Sequence, residues 1–448
     1  DDHQDLHSFP TRRSSDLQTL SLPSALASVK GFGGPWLIVA DKGNHRVLFF
    51  RAPFETGQSA EIVIGQSDFE SNLPNQGGAA SATTLRSPAG LSVAPDGRLW
   101  VADTGNHRLL AFDPPYTTGM AASDVLGQKS FDTILPGTDA DAFTSPGGLC
   151  AGPSGWLWVA DRGNHRVLGF DRTSTTPLIA SRVLGQPYFD TGYPWPVSER
   201  SLREPSQVME MPSGNLWVSD TGNHRLLLFE SILTKPAINP PSDAVLGQTT
   251  FIKSAENSGG EPGELTFSSP GGFAVRGDCY ALADTGNHRV KVMLSPRSVN
   301  PTFLSPPERF FITGRITDIS MIGQQSAMGN AVNGAAGNTL YLPQYIKIDR
   351  LSFPNRLLAV DTENARVLIW NELERFIIGG GAQTVLGQTS AFSVVKKSDD
   401  RHLTRPAGVA VGPAGSIYVT DNSRILRYRK PQATGMLGEK AFGNQSHR

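Results

Sequence analysis

Short apolar runs recur along the whole chain, broken each time by Gly, Pro, Asp or Asn. Four of them, read in order from Pro88, define a unit: "PAGLSVA", "GRLWVAD", "RLLAFD" and "SDVLGQ". Each has the length and the β-branched or aromatic content of a strand. The turn signals "PDG" and "PSG" separate the first two runs. Alternation is clearest in the second run, where Trp100, Trp158, Trp217 and Tyr418 hold equivalent positions. The pattern predicts four antiparallel strands, and the same four are predicted again in every copy.

The copies are in step. An Asp closes the second strand at Asp41, Asp103, Asp161, Asp220, Asp284, Asp361 and Asp421. An Arg opens the third at Arg46, Arg108, Arg166, Arg225, Arg289, Arg366 and Arg424. Between them a His recurs at His45, His107, His165, His224 and His288, with Ala365 in the sixth copy and a shortened "DNSR" in the seventh. A Pro opens each first strand, and an apolar residue stands three places before it, as in Leu85, Phe143 and Leu202. After each Arg comes a "VLGQ"-like string with Gly at 65, 127, 185, 247, 323, 387 and 438, followed four residues on by Phe69, Phe131, Phe189, Phe251 or Phe442.

A unit of this size cannot bury both faces of its sheet alone. Seven of them arranged radially can, and closing the ring leaves only short edges. The predicted fold is all-β, a β-propeller of seven four-stranded blades spanning 18–445. The blades lie near 20–69, 85–131, 143–189, 202–251, 267–327, 340–392 and 403–442. An open β-solenoid is the alternative on pattern alone. Residues 1–17, with "HSFPTRRSSDL", resemble translated adapter sequence and are set aside as a tail.

The string "D-x-G-N-H-R", in the setting "P-x-G-L-x-V … G-x-L-W-V-A-D-x-G-N-H-R-V", resembles the NHL repeat. The match is fullest at Pro88 to Leu109 and Pro146 to Val167. The resemblance implies a propeller, with six blades as the commoner number in that family and seven favoured here by the count of copies. The units are longer than the usual NHL unit. The "VLGQ-x-x-F" extension is similar to a bacterial, exported subgroup, which implies an extracellular or cell-envelope location.

The repeated polar residues read as frame. Gly105 and its equivalents are expected to take positive φ. Asp and Asn side chains are expected to satisfy turn donors, and each Asp to pair with its Arg. Zinc needs ligands about 2 Å from one point. Equivalent histidines on separate blades lie roughly 10 Å apart, given strand spacings of ~4.8 Å. No metal or cofactor is therefore expected from the histidine ring.

Function is expected where copies differ. Antiparallel strands place the NHR turns and the inserts after "VLGQ" on one face. Tyr193 and Trp195, in "DTGYPWPVSER", could stack on a sugar or grip a peptide. Residues before each Pro should rim the channel mouth, among them Arg86, Arg203, Glu204 and Arg405, able to meet a polar or anionic ligand. Asp139 and Asp141 give a faint calcium signal without the remaining oxygen ligands. "KKSDDRH" at 396–402 reads as a solvated loop.

Composition then narrows the classes. Lys plus Arg is 40 and Asp plus Glu is 41, which argues against broad nucleic-acid or lipid binding. No apolar run reaches the ~20 residues of a membrane span. Cys150 and Cys279 lie in different copies and read as free thiols. No nucleophile elbow, paired-histidine zinc motif or phosphate loop occurs. The expectation is a monomeric binding scaffold for a protein or glycan. The alternative is a propeller enzyme of lyase or lactone-hydrolase type, with a site at the central channel.

Overall fold

The computed structural model describes residues 20–31, 34–51, 59–173, 179–263, 266–276, 279–294, 319–322, 340–349, 356–371, 382–390, 393–412, 415–422, 424–429, 434 and 436–443. The tail at 1–17, the connector at 329–338 and the segment 295–318 lie outside them.

Seven sheets of four antiparallel strands follow one another along the chain. Blade 1 holds β1 Pro23–Gly31, β2 Gly34–Asp41, β3 Arg46–Arg51 and β4 Ile62–Ile64. Blade 2 holds β5 Gly90–Val93, β6 Leu99–Asp103, β7 Arg108–Phe112 and β8 Asp124–Leu126. Blade 3 holds β9 Leu149–Ala151, β10 Trp156–Asp161, β11 Arg166–Asp171 and β12 Arg182–Leu184. Blade 4 holds β13 Gln207–Glu210, β14 Leu216–Asp220, β15 Arg225–Phe229 and β16 Ala244–Leu246. Blade 5 holds β17 Pro270–Arg276, β18 Cys279–Asp284, β19 Arg289–Leu294 and β20 Ile319–Ile322. Blade 6 holds β21 Pro343–Asp349, β22 Arg356–Asp361, β23 Arg366–Trp370 and β24 Thr384–Leu386. Blade 7 holds β25 Pro406–Val411, β26 Ile417–Asp421, β27 Arg424–Tyr428 and β28 Glu439–Gly443.

The ring is closed. Each first strand touches the first strand of the next blade, from β1 through β5, β9, β13, β17 and β21 to β25, and β25 touches β1. Each gap between neighbouring blades encloses an apolar cluster. Leu110 and Phe49 meet between blades 1 and 2, and Leu48 and Tyr418 meet across the closure. Trp100, Trp158, Trp217 and Tyr418, picked out by the alternation, are all buried. Burying such a side chain contributes about 1.5–3 kcal/mol, so the gaps rather than the blades hold the core.

The "VLGQ" glycine is the residue that needs a left-handed backbone. Gly65, Gly127, Gly185, Gly247 and Gly387 have φ of 93, 87, 89, 95 and 83°. A Cβ there would also strike the apolar residue that starts the following blade, at 2.5 Å from Leu85 for Gly65 and 2.0 Å from Phe143 for Gly127. The same contact recurs for Gly185 with Leu202, Gly247 with Phe267 and Gly387 with Leu403, and it explains the apolar residue three places before the Pro in those five blades.

Blade 7 departs from the expected register. Its fourth strand is Glu439–Gly443, with Ile425 paired to Phe442, whereas Leu109 pairs with Leu126 in blade 2. Phe442 therefore fills the place of Leu126, not that of Phe131. Gly438, expected to match Gly127, instead packs against the Tyr428 ring.

Among the described residues, the outer edges of blades 1, 3 and 6 are met by the following blade. The loop after β7 lies on β4, with Gly119 N–H donating to Val63 O at 2.8 Å. The loop after β15 does the same to β12, where Ile238 bridges Val183 and Arg182 donates to Ile232 O at 3.1 Å and Leu233 O at 2.7 Å. Thr434 Oγ1 accepts from Val385 N at 3.1 Å on β24.

Candidate functional site: the insert face and the frame beneath it

The turn between second and third strands carries the repeated Asp, Gly, Asn, His and Arg. Each Asp is fully buried. Its Oδ2 accepts from the Arg Nε five residues on, at 2.7 Å in Arg108 and 2.6 Å in Arg225. The same Oδ2 accepts from the Asn amide, at 2.8 Å from Asn106. Its Oδ1 accepts from a backbone N–H two places before the Pro, at 2.6 Å from Arg86 and 2.8 Å from Thr144. Arg424 and Asp421 keep the pair at 3.0 Å in the shortened copy. Burial pushes the carboxyls of Asp41, Asp103, Asp161, Asp361 and Asp421 upward, against the pull of the paired guanidinium and the donated N–H groups.

Each Arg also clamps the inserts. Arg108 donates to Phe131 O, and at 2.9 Å to both Ser81 O and Thr84 O. Arg225 repeats this on Phe251 O at 2.6 Å and Ser201 O at 2.8 Å. A buried guanidinium needs this many acceptors to offset its lost hydration. The "KKSDDRH" segment is tied down in the same way, with Arg424 Nη1 donating to Asp399 O at 2.7 Å and Lys396 meeting Glu363 at 2.9 Å. Residues 396–401 stay exposed, as expected of a solvated loop, while the backbone is held.

The turn glycine is not the positive-φ residue expected of it. His107 takes that role at φ 54°, as do His45, His165, His224 and His288 at 53–56° and Ala365 at 53°. Gly105 is required by proximity: a Cβ there would lie 2.7 Å from Arg86 O, which accepts the Gly105 N–H at 2.9 Å.

The histidines join blades. His107 Nδ1 accepts from Ser145 N at 3.0 Å, and His45 does so from Ser87 N at 3.0 Å. His165, His224 and His288 accept from Glu204 N, Ser269 N and Leu342 N at 3.1, 2.9 and 3.1 Å. Nδ1 therefore carries no proton in these five. Burial lowers the pKa of His107, His165, His224 and His288. At the closure Leu22 N donates to Asn422 O at 3.0 Å. All six donating residues sit just before a Pro with φ of 46–52°.

The rim residues divide. Glu204 pairs with Arg162 of the preceding blade at 3.1 Å, and Arg405 with Glu363 at 3.3 Å. Arg86 and Arg203 are exposed. They stand on blades 2 and 4, with Thr144 at the equivalent place between them, so the structure does not gather the four into one cluster. Asp139 gives its backbone carbonyl to Arg166 at 3.1 Å, a frame contact. Cys150 is a free thiol, and the Cys279 side chain lies outside the described residues.

A residue the sequence reading passed over organises this face: the Gln of "VLGQ". Gln186 Nε2 donates to His165 O at 3.3 Å and Tyr193 O at 2.8 Å. Gln66, Gln128, Gln248 and Gln388 donate to Leu73 O, Leu135 O, Ala255 O and Val395 O at 2.9, 2.8, 2.8 and 3.1 Å. Its recurrence after the glycine was the available signal. Its carbonyl oxygen takes a different cap in three blades: Trp195 Nε1 at 2.7 Å on Gln186, Ser258 Oγ at 3.1 Å on Gln248, and Val395 N at 2.9 Å on Gln388. Tyr193 and Trp195 thus share one socket, and both remain exposed.

Comparison with known proteins gives the same architecture. The NHL repeat family model matches residues 85–112 and 143–170. No curated protein matches the chain. Among solved structures, hydrazine synthase of Kuenenia stuttgartiensis is similar at 12% identity and a TM-score of 0.52, over 91% of this chain and 96% of that one. A streptogramin B lyase is similar at 11% identity and a TM-score of 0.51, over 90% of this chain and 92% of that one. At such identities the likeness is one of fold alone.

Proposed function

Taking the chain as an NHL-repeat β-propeller of seven blades, we propose that it is a non-enzymatic, exported binding scaffold. Its working surface is the face of NHR turns and inserts, and its partner is a protein or glycan. One observation carries this reading: what repeats is buried and what differs is exposed. The Asp, Asn and Arg of the turns sit inside, with the Asn and Arg donating to the Asp. The residue bound by each "VLGQ" Gln varies, and Leu73, Leu135 and Tyr193 present large side chains to solvent there on three successive blades. A rigid frame with variable loops is the usual arrangement of a binding surface.

The enzyme alternative draws on the lyase likeness, which extends to fold only. It also needs ligands gathered round one point, and among the described residues no three His, Cys, Asp or Glu side chains form such a group. The test is a screen of the whole chain against displayed peptides and arrayed glycans. Ligands whose binding falls about tenfold with Leu135→Ala or Trp195→Ala, and not with Ile179→Ala outside the inserts, support the scaffold. Ligand binding indifferent to the insert face overturns it.

A further inference from the structure

The insert that follows β12 differs from the others in what it exposes. Tyr188, Tyr193 and Trp195 are 65, 75 and 45% exposed, and the stretch from Pro187 to Pro196 contains no Leu, Ile, Val or Met. Large aromatic faces that stand without aliphatic neighbours are surfaces on which another flat group can stack. Here only flat rings are offered.

The Trp195 ring is also fixed. Its Nε1–H is taken by Gln186 Oε1 at 2.7 Å, and that Gln is held in turn by His165 O and Tyr193 O. Pro194 and Pro196 flank it and restrict the backbone on both sides. The polar edge of the indole is therefore spent on the frame, while much of the ring remains in water. No rotamer entropy is left to lose when something stacks on it. Asp190 is exposed on the same insert, and a carboxylate accepts hydrogen bonds from hydroxyls.

We propose that Trp195, with Tyr193, Tyr188 and Asp190, forms a carbohydrate-binding platform for a neutral pyranose. The electron-poor C–H face of such a sugar stacks on the electron-rich ring face, and its hydroxyls meet Asp190. This assignment rests on the scaffold reading and narrows it from protein or glycan to glycan at this insert.

The test is calorimetric titration of the full chain with cellohexaose, maltohexaose and chitohexaose. At least one should bind. Trp195→Ala should weaken it about tenfold or more, Trp195→Phe should recover part of the loss, and Ile179→Ala, exposed outside the inserts, should leave it unchanged. Matching melting curves for the variants keep a loss of fold apart from a loss of stacking. The platform is overturned if none of the three binds, or if binding ignores Trp195→Ala. Peptide binding lost in both Trp195→Ala and Leu135→Ala would overturn the platform and leave the scaffold standing. Absence of any glycan or peptide binding at this face would overturn both.

Discussion

The joint between blades 3 and 4 and the joint between blades 6 and 7 solve one problem differently. In the first, His165 accepts the Glu204 N–H across the gap at 3.1 Å, and Arg162 meets the Glu204 carboxylate. In the second, Ala365 stands in place of the His, and the Arg405 N–H turns back to Asp421 of its own blade at 2.6 Å. At that turn the gap is crossed by an ion pair between Glu363 and the exposed Arg405. Ala365 nevertheless keeps φ at 53°. The left-handed turn is thus imposed by its surroundings, and the His is present for its ring nitrogen. The Asp–Arg pair, which acts within a blade, occurs at both joints. The inter-blade tie is the replaceable part.

The largest effect should come from breaking the shared element. Arg108→Ala strands the buried Asp103 and frees the carbonyls of Phe131, Ser81 and Thr84. Urea unfolding should show a loss of about 3–5 kcal/mol. A loss under about 1 kcal/mol would remove the pair from the frame. Next, His165→Ala leaves the Glu204 N–H without its acceptor and should cost about 1–3 kcal/mol. Ala365→His should return no comparable gain, because Arg405 N–H already has Asp421. Equal and opposite changes at the two joints would contradict the contrast drawn above.

Acid provides a third test. Folded pKa values of His107, His165, His224 and His288 are lowered by burial. The unfolded chain therefore takes up protons first. The stability these joints contribute is complete above about pH 6.5 and is lost as pH falls through the folded values. Unfolding free energy measured from pH 8 to 5 should decline, and His165→Ala should decline less steeply. A slope identical to that of the parent would count against the tie. The smallest effect belongs to the 6–7 joint. Hydrogen bonds from Lys396, with the Arg405 charge, hold the Glu363 carboxyl below its usual range, yet the pairs are solvent-facing. Glu363→Gln should cost less than about 1 kcal/mol and vanish in 1 M salt.

Much of this frame was legible in the sequence because it is repeated. Seven Asp and seven Arg in register pointed to a pair per blade, and the pairs are there. Spacing between copies argued that His107 and its counterparts could not converge, and each Nδ1 is engaged by its neighbour. Conformation was less legible. Glycine marks either a left-handed backbone or a close approach, and the string alone does not say which. Gly105 is the second kind and Gly127 is both. The blade 7 register was misread because "LGEK" resembles "VLGQ", while pairing is decided by what Ile425 faces. Tyr193 and Trp195 stood out by type. The socket that orients Trp195 did not, since it depends on Gln186 meeting a side chain nine residues away.

The covering of the outer edges of blades 1, 3 and 6 by the loop of the blade that follows has a direction built into it. As the chain leaves the ribosome, each of these three blades waits for its successor to meet its open hydrogen-bonding groups. Where a blade is sealed this way, its sticky margin lasts only until the next blade is made, which limits the sites at which the growing chain could pair with a neighbour.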